Sequence, residues 1–154
     1  MTDEQATPEK ESKPKGDGKA DIGKRIVAAI IDGVLVGLVS WIPVIGGLIG
    51  AAYFLLRDGF EFDFMDQRSL GKKLMKLRPV LLDGGKVDLV VSIKRNWILA
   101  IPSVLMIIPV FGWIAAPFIG LAIGIIEFVL VLTDPEGRRI GDKIANTKVI
   151  EVTE

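Results

Sequence analysis

The sequence predicts an all-α membrane protein with four transmembrane helices in two hairpins, a small cytoplasmic amphipathic helix and short β-strands. Three observations support this fold class. Half of the 154 residues are hydrophobic, and the apolar residues are concentrated in two blocks, Ile26–Leu56 and Trp97–Leu132. Each block is longer than the roughly 20 residues that span a bilayer. All 19 Lys and Arg lie outside both blocks.

Each apolar block is too long for a single crossing. One helix over Ile26–Leu56 would measure about 46 Å, whereas the hydrocarbon core is about 30 Å thick. Near its middle each block has a turn sequence with Pro and Gly together, "IPVIGG" at 42–47 and "IPVFGW" at 108–113. The similarity of these turns suggests two related hairpins. We therefore expect helices over 25–42, 44–57, 97–110 and 113–133.

The second of these helices is short. From Val44 to Leu56 it would reach only about 20 Å, less than the about 30 Å of the hydrocarbon core. A re-entrant hairpin is the alternative to a full crossing. Either arrangement returns the chain to the side from which it entered.

The basic residues predict the orientation. They fall in three regions: the N-terminal part through Arg25, the segment from Arg57 to Arg95, and the end from Arg138. Positive residues accumulate on the cytoplasmic side of cell membranes. We therefore expect a multi-pass protein of the cytoplasmic membrane, with both termini and residues 58–96 in the cytoplasm.

The segments outside the apolar blocks have different compositions. Residues 1–21 are rich in Lys, Glu, Asp, Pro and Gly and contain little to bury, so we expect a disordered cytoplasmic tail before a membrane domain at 22–152. In "SLGKKLMKL", residues 69–77, the leucines share one helical face. This pattern predicts an amphipathic surface helix with Leu70, Leu74 and Leu77 against lipid or the bundle and with Lys72 and Lys73 hydrated.

Short strands are predicted at both ends of the cytoplasmic region. "LRPVLLDGGKVDLVV" reads as a β-hairpin around the turn 83–85, and "NTKVIEV" at 146–152 is a strand that can pair with it. In "FEFDFMD", residues 60–66, aromatic and acidic residues alternate, which suggests phenylalanines in the headgroup region and acids in water. A calcium loop would need a central Gly that this stretch lacks.

Composition excludes several functions. The chain has no Cys and no His, so it has no thiol nucleophile, disulfide, imidazole base or Cys/His zinc site. No Gly-x-Ser-x-Gly motif or phosphate loop is present. The formal net charge is zero and no basic stripe with interleaved aromatics occurs. We expect neither an enzyme nor a nucleic-acid-binding protein, and no cofactor or metal.

Two carboxylates lie inside the apolar blocks, Asp32 and Glu127. The predicted topology places them at similar depth, where facing acids would share a proton or a monovalent cation. Intramembrane acids are costly and often functional. The alternative is structural: Asp32 hydrogen-bonded to a backbone group or to Asn96, or tethering Arg95, with Glu127 pointing toward the headgroups.

Small residues recur at four-residue spacing, a pattern that lets membrane helices approach closely. They favour a compact bundle over a homodimer face. Because four helices rarely form a complete transporter, transport would need a homo-oligomer or a membrane partner protein. The pairs are Gly33 and Gly37, Gly46 and Gly50, Gly120 and Gly124, and Gly112 and Ala116.

Several motifs occur in the order typical of a known family. Arg25 stands seven residues before Asp32, "QRSLGKKLMKLRPVLLDGGKV" follows the first block, "KRN" precedes the second, and "RRIGDKIANTKVI" ends the chain. From about Lys24 to Val152 the sequence resembles the RDD family, named for one Arg and two Asp. On this resemblance the three charges are Arg25, Asp32 and Asp142.

The resemblance also matches Arg95 and Asn96 to a recurrent Arg-Asn pair. It implies a multi-helix membrane domain, with transport of ions or small ligands suggested, and supplies no substrate. The sequence departs from the family pattern at Arg68, Lys76, Pro79, Gly141 and Asn146.

Two of the family charges are expected to meet. Arg25 opens the first helix, and Asp142 follows the last one in a segment that returns to the membrane surface. A charge at the bundle edge gains from a partner in reduced dielectric. We therefore predict that Arg25 and Asp142 pair, or share a network with Arg95.

Overall fold

The structure is a computed structural model that describes residues 19–62 and 64–153. Most of the predicted tail, residues 1–18, and Asp63 of the aromatic-acidic segment lie outside the described residues. The first helix begins at Ile22, and the two residues before it are also held in place. Ala20 is buried in a small hydrophobic core, and the carboxylate of Asp21 accepts a hydrogen bond from the backbone N–H of Lys24 as the N-cap of the first helix.

The described chain is mostly helical. Four longer helices form a bundle, and two short helices and two strands form a layer across one end of it, which we call the platform. The elements are α1 Ile22–Val39, α2 Ile45–Leu56, α3 Leu70–Leu74, β1 Leu77–Leu81, α4 Leu89–Leu105, α5 Phe111–Thr133, α6 Ile140–Ile144 and β2 Thr147–Glu151.

The two helical hairpins, α1–α2 and α4–α5, turn in the same way. Val44 and Val110 both have positive φ, 63° and 64°. The N–H after each valine donates to the carbonyl of the preceding proline at 2.7 Å, which closes a γ-turn. The next residue is Gly in both turns, and a Cβ there would collide with the backbone of the preceding helix. The two hairpins therefore share one turn geometry.

Large apolar side chains face outward from the bundle, and small or polar side chains face inward. Ile30, Leu38 and Phe118 are exposed, whereas Ala28, Ala100 and other small residues are buried. This is the arrangement that lipid favours, because lipid gives no hydrophobic drive for helix association and close packing needs small residues. By length and composition α5 can cross a membrane.

Helix α4 begins eight residues earlier than predicted, at Leu89 instead of 97. The carboxylate of Asp88 caps it by accepting from the N–H of Val91 at 2.7 Å. The predicted start at 97 was wrong because this helix extends beyond the N-terminal end of the apolar block and into the platform. Arg95 and Asn96 are therefore helical and buried.

The predicted hairpin around Asp83 does not form. Instead β1 pairs antiparallel with β2, so the prediction that 146–152 pairs with the first strand is confirmed. Residues after the turn cannot form the second strand because they lead into α4. Pro79 opposes Val149 at the centre of the ladder. Two residue pairs lie on each side of this central pair.

The strand pairing reveals a pseudo-two-fold relation between the halves of the chain. Each half contains a hairpin, a short helix and a strand, and positions 70 residues apart correspond across the ladder centre. Gly71 of α3 lies against the backbone of Ala28 in α1, and Gly141 of α6 lies against the backbone of Arg95 in α4. In each half the short helix therefore packs on the first helix of its own hairpin.

The prediction that Lys72 is hydrated was wrong. Helix α3 spans only Leu70–Leu74, with Leu74 exposed and Lys72 buried. Gly71 requires close contact with α1, and this contact turns Lys72 toward the bundle and away from water. Leu77, expected on the same face, belongs to β1 and is buried.

The two hairpins face each other along two seams, one between α2 and α4 and the other between α1 and α5, and these seams differ. Helices α2 and α4 make the largest interhelical contact, where Gly47 and Gly50 approach Ser103. Helices α1 and α5 barely touch. A Cβ at Gly33 or Gly37 of α1 would meet nothing within 4 Å. The predicted compact packing therefore holds for one seam and not for the other.

Candidate functional site

A network of buried charges joins the platform to the bundle, and it is built around three carboxylates. The first is Asp32, which is 2% exposed. One oxygen accepts from the hydroxyl of Tyr53 at 2.8 Å and from the N–H of Gly71 at 2.9 Å, and the other accepts from Arg57 Nη1 at 2.8 Å. Asp32 therefore holds α1 to α2 and α3.

Asp58, directly after α2, is the second carboxylate and is fully buried. It accepts from Lys72 Nζ at 2.5 Å and from Asn96 Nδ2 at 2.9 Å, and Arg95 Nε lies 3.4 Å away. Burial alone would raise the pKa of Asp58, but Lys72, Arg95 and Arg57 hold it well below its usual range.

Lys72 is affected in the opposite sense. Burial, reinforced by the positive charges of Arg57 and Arg95, lowers its pKa to about 7 despite the attraction of Asp58. The pKa of Lys72, at the inner face of the platform, is therefore well below that of an ordinary lysine.

Asp142, in α6, is the third carboxylate and is also fully buried. It accepts from Arg95 Nη2 at 2.6 Å, and Arg25 Nη2 and Arg139 Nε each lie 3.4 Å away. Burial opposes ionisation, but these three arginines keep the pKa of Asp142 well below its usual range. The predicted network of Arg25, Asp142 and Arg95 is confirmed. Arg25 also donates to the carbonyl of Gly137 at 2.6 Å.

The Arg95-Asn96 pair on α4 connects the second and third carboxylates. Arg95 lies between Asp58 and Asp142, and Asn96 donates to Asp58 while its carbonyl accepts from Arg139 Nη2 at 3.3 Å. Neither side chain bonds to Asp32. The proposed tethers from Asp32 to Arg95 or Asn96 were therefore wrong, and both residues instead link α2 to α6.

Glu127 stands apart from these three carboxylates. It is 6% exposed, and its Oε2 accepts from the N–H of Ile140 at 3.1 Å. Within residues 19–62 and 64–153, Glu127 forms no ion pair of 4 Å or less. Asp32 and Glu127 line the same cavity, but each bonds to different groups and they share no hydrogen bond.

This cavity has a volume of about 380 Å³ and lies between α1 and α5 at the platform end of the bundle. Most of its wall is apolar, with Ile26, Phe54 and Leu99 among the lining residues. Its charged lining consists of five cations and two carboxylates, namely Arg25, Arg57, Lys72, Arg95, Arg139, Asp32 and Glu127.

Sequence reasoning missed several of these residues. Arg57 is buried against Asp32, a contact that the sequence did not predict. Asp58 and Arg139 were not singled out, and Lys72 was assigned to water. One signal was available: Arg57 and Asp58 are adjacent charges directly after an apolar block, where a helix end meets the interface.

A family model described as the RDD family matches residues 41–146. The matched range includes Arg95, Asn96 and Asp142, while Arg25 and Asp32 precede it. No curated protein and no solved structure matches the chain.

Proposed function

Because the chain belongs to the RDD family, a membrane-associated family whose model matches residues 41–146, we propose that it is a multi-pass protein of the cell membrane. All four bundle helices enter the bilayer, the platform and both termini lie in the cytoplasm, and the outer turns face the other side. The 12 residues of α2 reach only about 18 Å, so this hairpin either thins the bilayer or is re-entrant.

Labelling of introduced cysteines tests this topology, since the chain has none of its own. Gly85→Cys and Thr153→Cys should react with a membrane-impermeant maleimide only from the cytoplasmic side. Trp41→Cys, in the exposed outer turn, should react only from the opposite side. Reaction of Gly85→Cys and Thr153→Cys from opposite sides would refute the even number of crossings.

Within this topology, the protein's function is transport of a small ligand through the cavity between α1 and α5. The charge of the cavity lining carries the proposal. Four arginines and Lys72, whose pKa of about 7 leaves it partly protonated near neutral pH, outnumber two carboxylates in the lining. Asp58 and Asp142 complete the network and reduce this excess of positive charge without reversing it. Such a site attracts anions and repels monovalent cations. Among protons, monovalent cations and small ligands, a small anionic ligand therefore fits best.

Glu127 is the group suited to exchange a proton during transport. Asp32 is held by Arg57 at 2.8 Å, so a cation could bind it only by displacing a guanidinium group. Glu127 lines the same cavity without such a partner in the described chain. A bundle of this size would act as a homo-oligomer or with a membrane partner protein.

A flux assay in proteoliposomes tests the transport proposal with inorganic phosphate, acetate and sodium as probes. We expect anion uptake, accompanied by proton movement, to exceed sodium uptake. Glu127→Gln should abolish the proton movement, whereas Glu136→Gln, an exposed acid outside the cavity, should leave it unchanged. Sodium uptake above that of both anions would contradict the proposal.

One observation favours a second candidate, an accessory module that organises membrane partners and uses its buried charges structurally. Asp32 and Asp142 are both saturated by donors from other elements. On this reading no probe would cross the membrane, and Asp32→Asn would reduce the yield of folded protein. Flux that persists in folded Asp32→Asn protein would rule out this candidate.

A further inference from the structure

A second cavity extends the first along the open seam. It has a volume of about 360 Å³ and lies between the outer parts of α1 and α5. Phe54 and Leu99 line both cavities, so the two together form one groove, which we call the seam groove. From Ile26 to Ser40 it follows α1 for about 21 Å, longer than the about 15 Å of one leaflet's hydrocarbon.

The floor of the seam groove is apolar and lined by glycines that have little or nothing packed against them. A Cβ at Gly33, Gly37 or Gly124 would meet no atom within 4 Å, and one at Gly120 would meet only Pro102 at 3.4 Å. Glycines at this spacing in membrane helices normally serve close helix contact. Here they leave open apolar space along the helices, which suits a hydrocarbon chain in its chemistry.

The platform end of the groove has the opposite chemistry. Arg57 and Arg95 line it and are 4% and 1% exposed. Within the described chain, Arg57 Nε and Arg95 Nη1 are buried donors without a hydrogen-bond acceptor. Buried polar groups normally find partners, so unsatisfied guanidinium N–H groups point to a missing acceptor. Arginine suits phosphate oxygens best, because its fork of donors matches their geometry.

We propose that the seam groove binds an anionic phospholipid of the cytoplasmic leaflet. One acyl chain lies over Phe54 and Leu99 along the glycines, and the phosphate lies at the platform end, where Arg57 and Arg95 turn toward it. This inference deepens the proposed function, since it rests on the anionic preference of the same cavity and names the ligand class.

A second copy of this chain fits the groove less well. In a two-fold dimer the same surface of each copy faces the other, so two concave grooves would meet and both would stay empty. An axis along the membrane normal would also bring the two cation-rich ends together, which like-charge repulsion opposes.

Native mass spectrometry of the full-length chain in detergent tests the proposal, with phosphatidylglycerol and phosphatidylcholine of identical acyl chains as probes. We expect phosphatidylglycerol to bind at least about tenfold more tightly. Gly37→Leu fills the groove and should weaken binding of both lipids about tenfold or more. Ala122→Leu, an exposed position on α5 that lines neither cavity, is the matched control and should change neither affinity.

Three results would overturn the inference: equal affinity for the two lipids, unchanged binding by Gly37→Leu, or a dimer that Gly37→Leu converts to monomer. An added arm with inorganic phosphate separates headgroup from free anion. Phosphate should compete for the arginines and weaken lipid binding, but complete displacement of the lipid would show that the site recognises the free anion alone. Failure here is distinguishable from failure of the proposed function. Anion flux without lipid selectivity refutes only the lipid, and lipid selectivity without flux refutes only transport.

Discussion

The two halves of the chain share a backbone plan and differ in what they carry on it. Both have a γ-turn with valine at positive φ, a glycine against a helix backbone, and a strand at the pseudo-two-fold ladder. At the third position of the short helix, however, the first half has Lys72 and the second has Asp142. Close backbone contacts require the same residue type, glycine, in both halves, whereas the charged positions make no such contact and differ between the halves.

The helices differ as well. Helix α2 has 12 residues and packs closely on α4, whereas α5 has 23 residues and is hardly in contact with α1. One seam is therefore closed by glycine packing and the other is open over a groove. This comparison teaches that departures from the two-fold relation mark the region available for a ligand, while its preserved contacts hold the fold together.

The largest effect is expected where the halves are most alike. A Cβ at Gly141 would lie 1.8 Å from the carbonyl oxygen of Arg95, and one at Gly71 would lie 2.1 Å from that of Ala28. Neither helix backbone can yield this space, so each Gly→Ala change should cost more than about 4 kcal/mol. Thermal unfolding and gel filtration in detergent would show loss of folded protein.

The control for these variants is Gly124→Ala, where a Cβ meets nothing within 4 Å. This variant should have the same unfolding temperature as the wild type or a slightly higher one, because alanine has a higher helix propensity than glycine. If Gly71→Ala folds normally while Gly141→Ala does not, the equivalence of the short helices is wrong.

The second prediction compares the opposite charges at equivalent positions. Asp142→Asn should destabilise the protein by about 3–5 kcal/mol, because it leaves buried arginines without their carboxylate. Lys72→Met should cost less than about 2 kcal/mol, since Asp58 keeps its contacts with Arg95 and Asn96. Chemical unfolding followed by tryptophan fluorescence would measure both, and equal costs would contradict this ranking.

The third prediction is a pH dependence that only the first half should produce. The pKa of Lys72 is about 7 in the folded protein, against 10.5 for an ordinary lysine. Between these values the unfolded chain binds the proton that the folded chain has lost, so stability should rise as pH increases from about 7 toward 10. Thermal unfolding of the wild type and of Lys72→Met at several pH values would measure the slope.

In Lys72→Met this rise should be reduced, whereas Lys94→Met, an exposed lysine on α4, should retain it. The same slope in Lys72→Met as in the wild type would show that other groups cause the pH dependence.

The features that the sequence predicted correctly are those with local signals. The two turns were visible because Pro and Gly interrupt apolar blocks, and strand 146–152 was visible in its alternation. The approach of Arg25 to Asp142 followed from both lying where the chain enters or leaves the bundle. In each case the physical cause acts within a few residues or through the membrane boundary.

The features it missed depend on tertiary contact. Lys72 lies on the polar side of a local amphipathic pattern, and only the approach of Gly71 to α1 turns it inward. Asp32 pairs with Arg57, 25 residues away, instead of Glu127. The start of α4 was missed because a short apolar run such as 89–93 is compatible with either strand or helix.

The smallest expected effect concerns the two turns, which should respond alike. Val44 and Val110 both occupy a region of positive φ that costs a β-branched residue about 1–3 kcal/mol. Glycine removes this strain but loses about 0.5–1 kcal/mol of chain entropy. Val44→Gly and Val110→Gly should therefore each stabilise the protein by about 1 kcal/mol. Val34→Gly, inside α1, should instead destabilise it by about 1 kcal/mol. Unfolding in detergent would measure the free-energy change for all three variants. If one turn variant stabilises the protein and the other destabilises it, only one turn stores strain. The two-fold relation would then be limited to the platform.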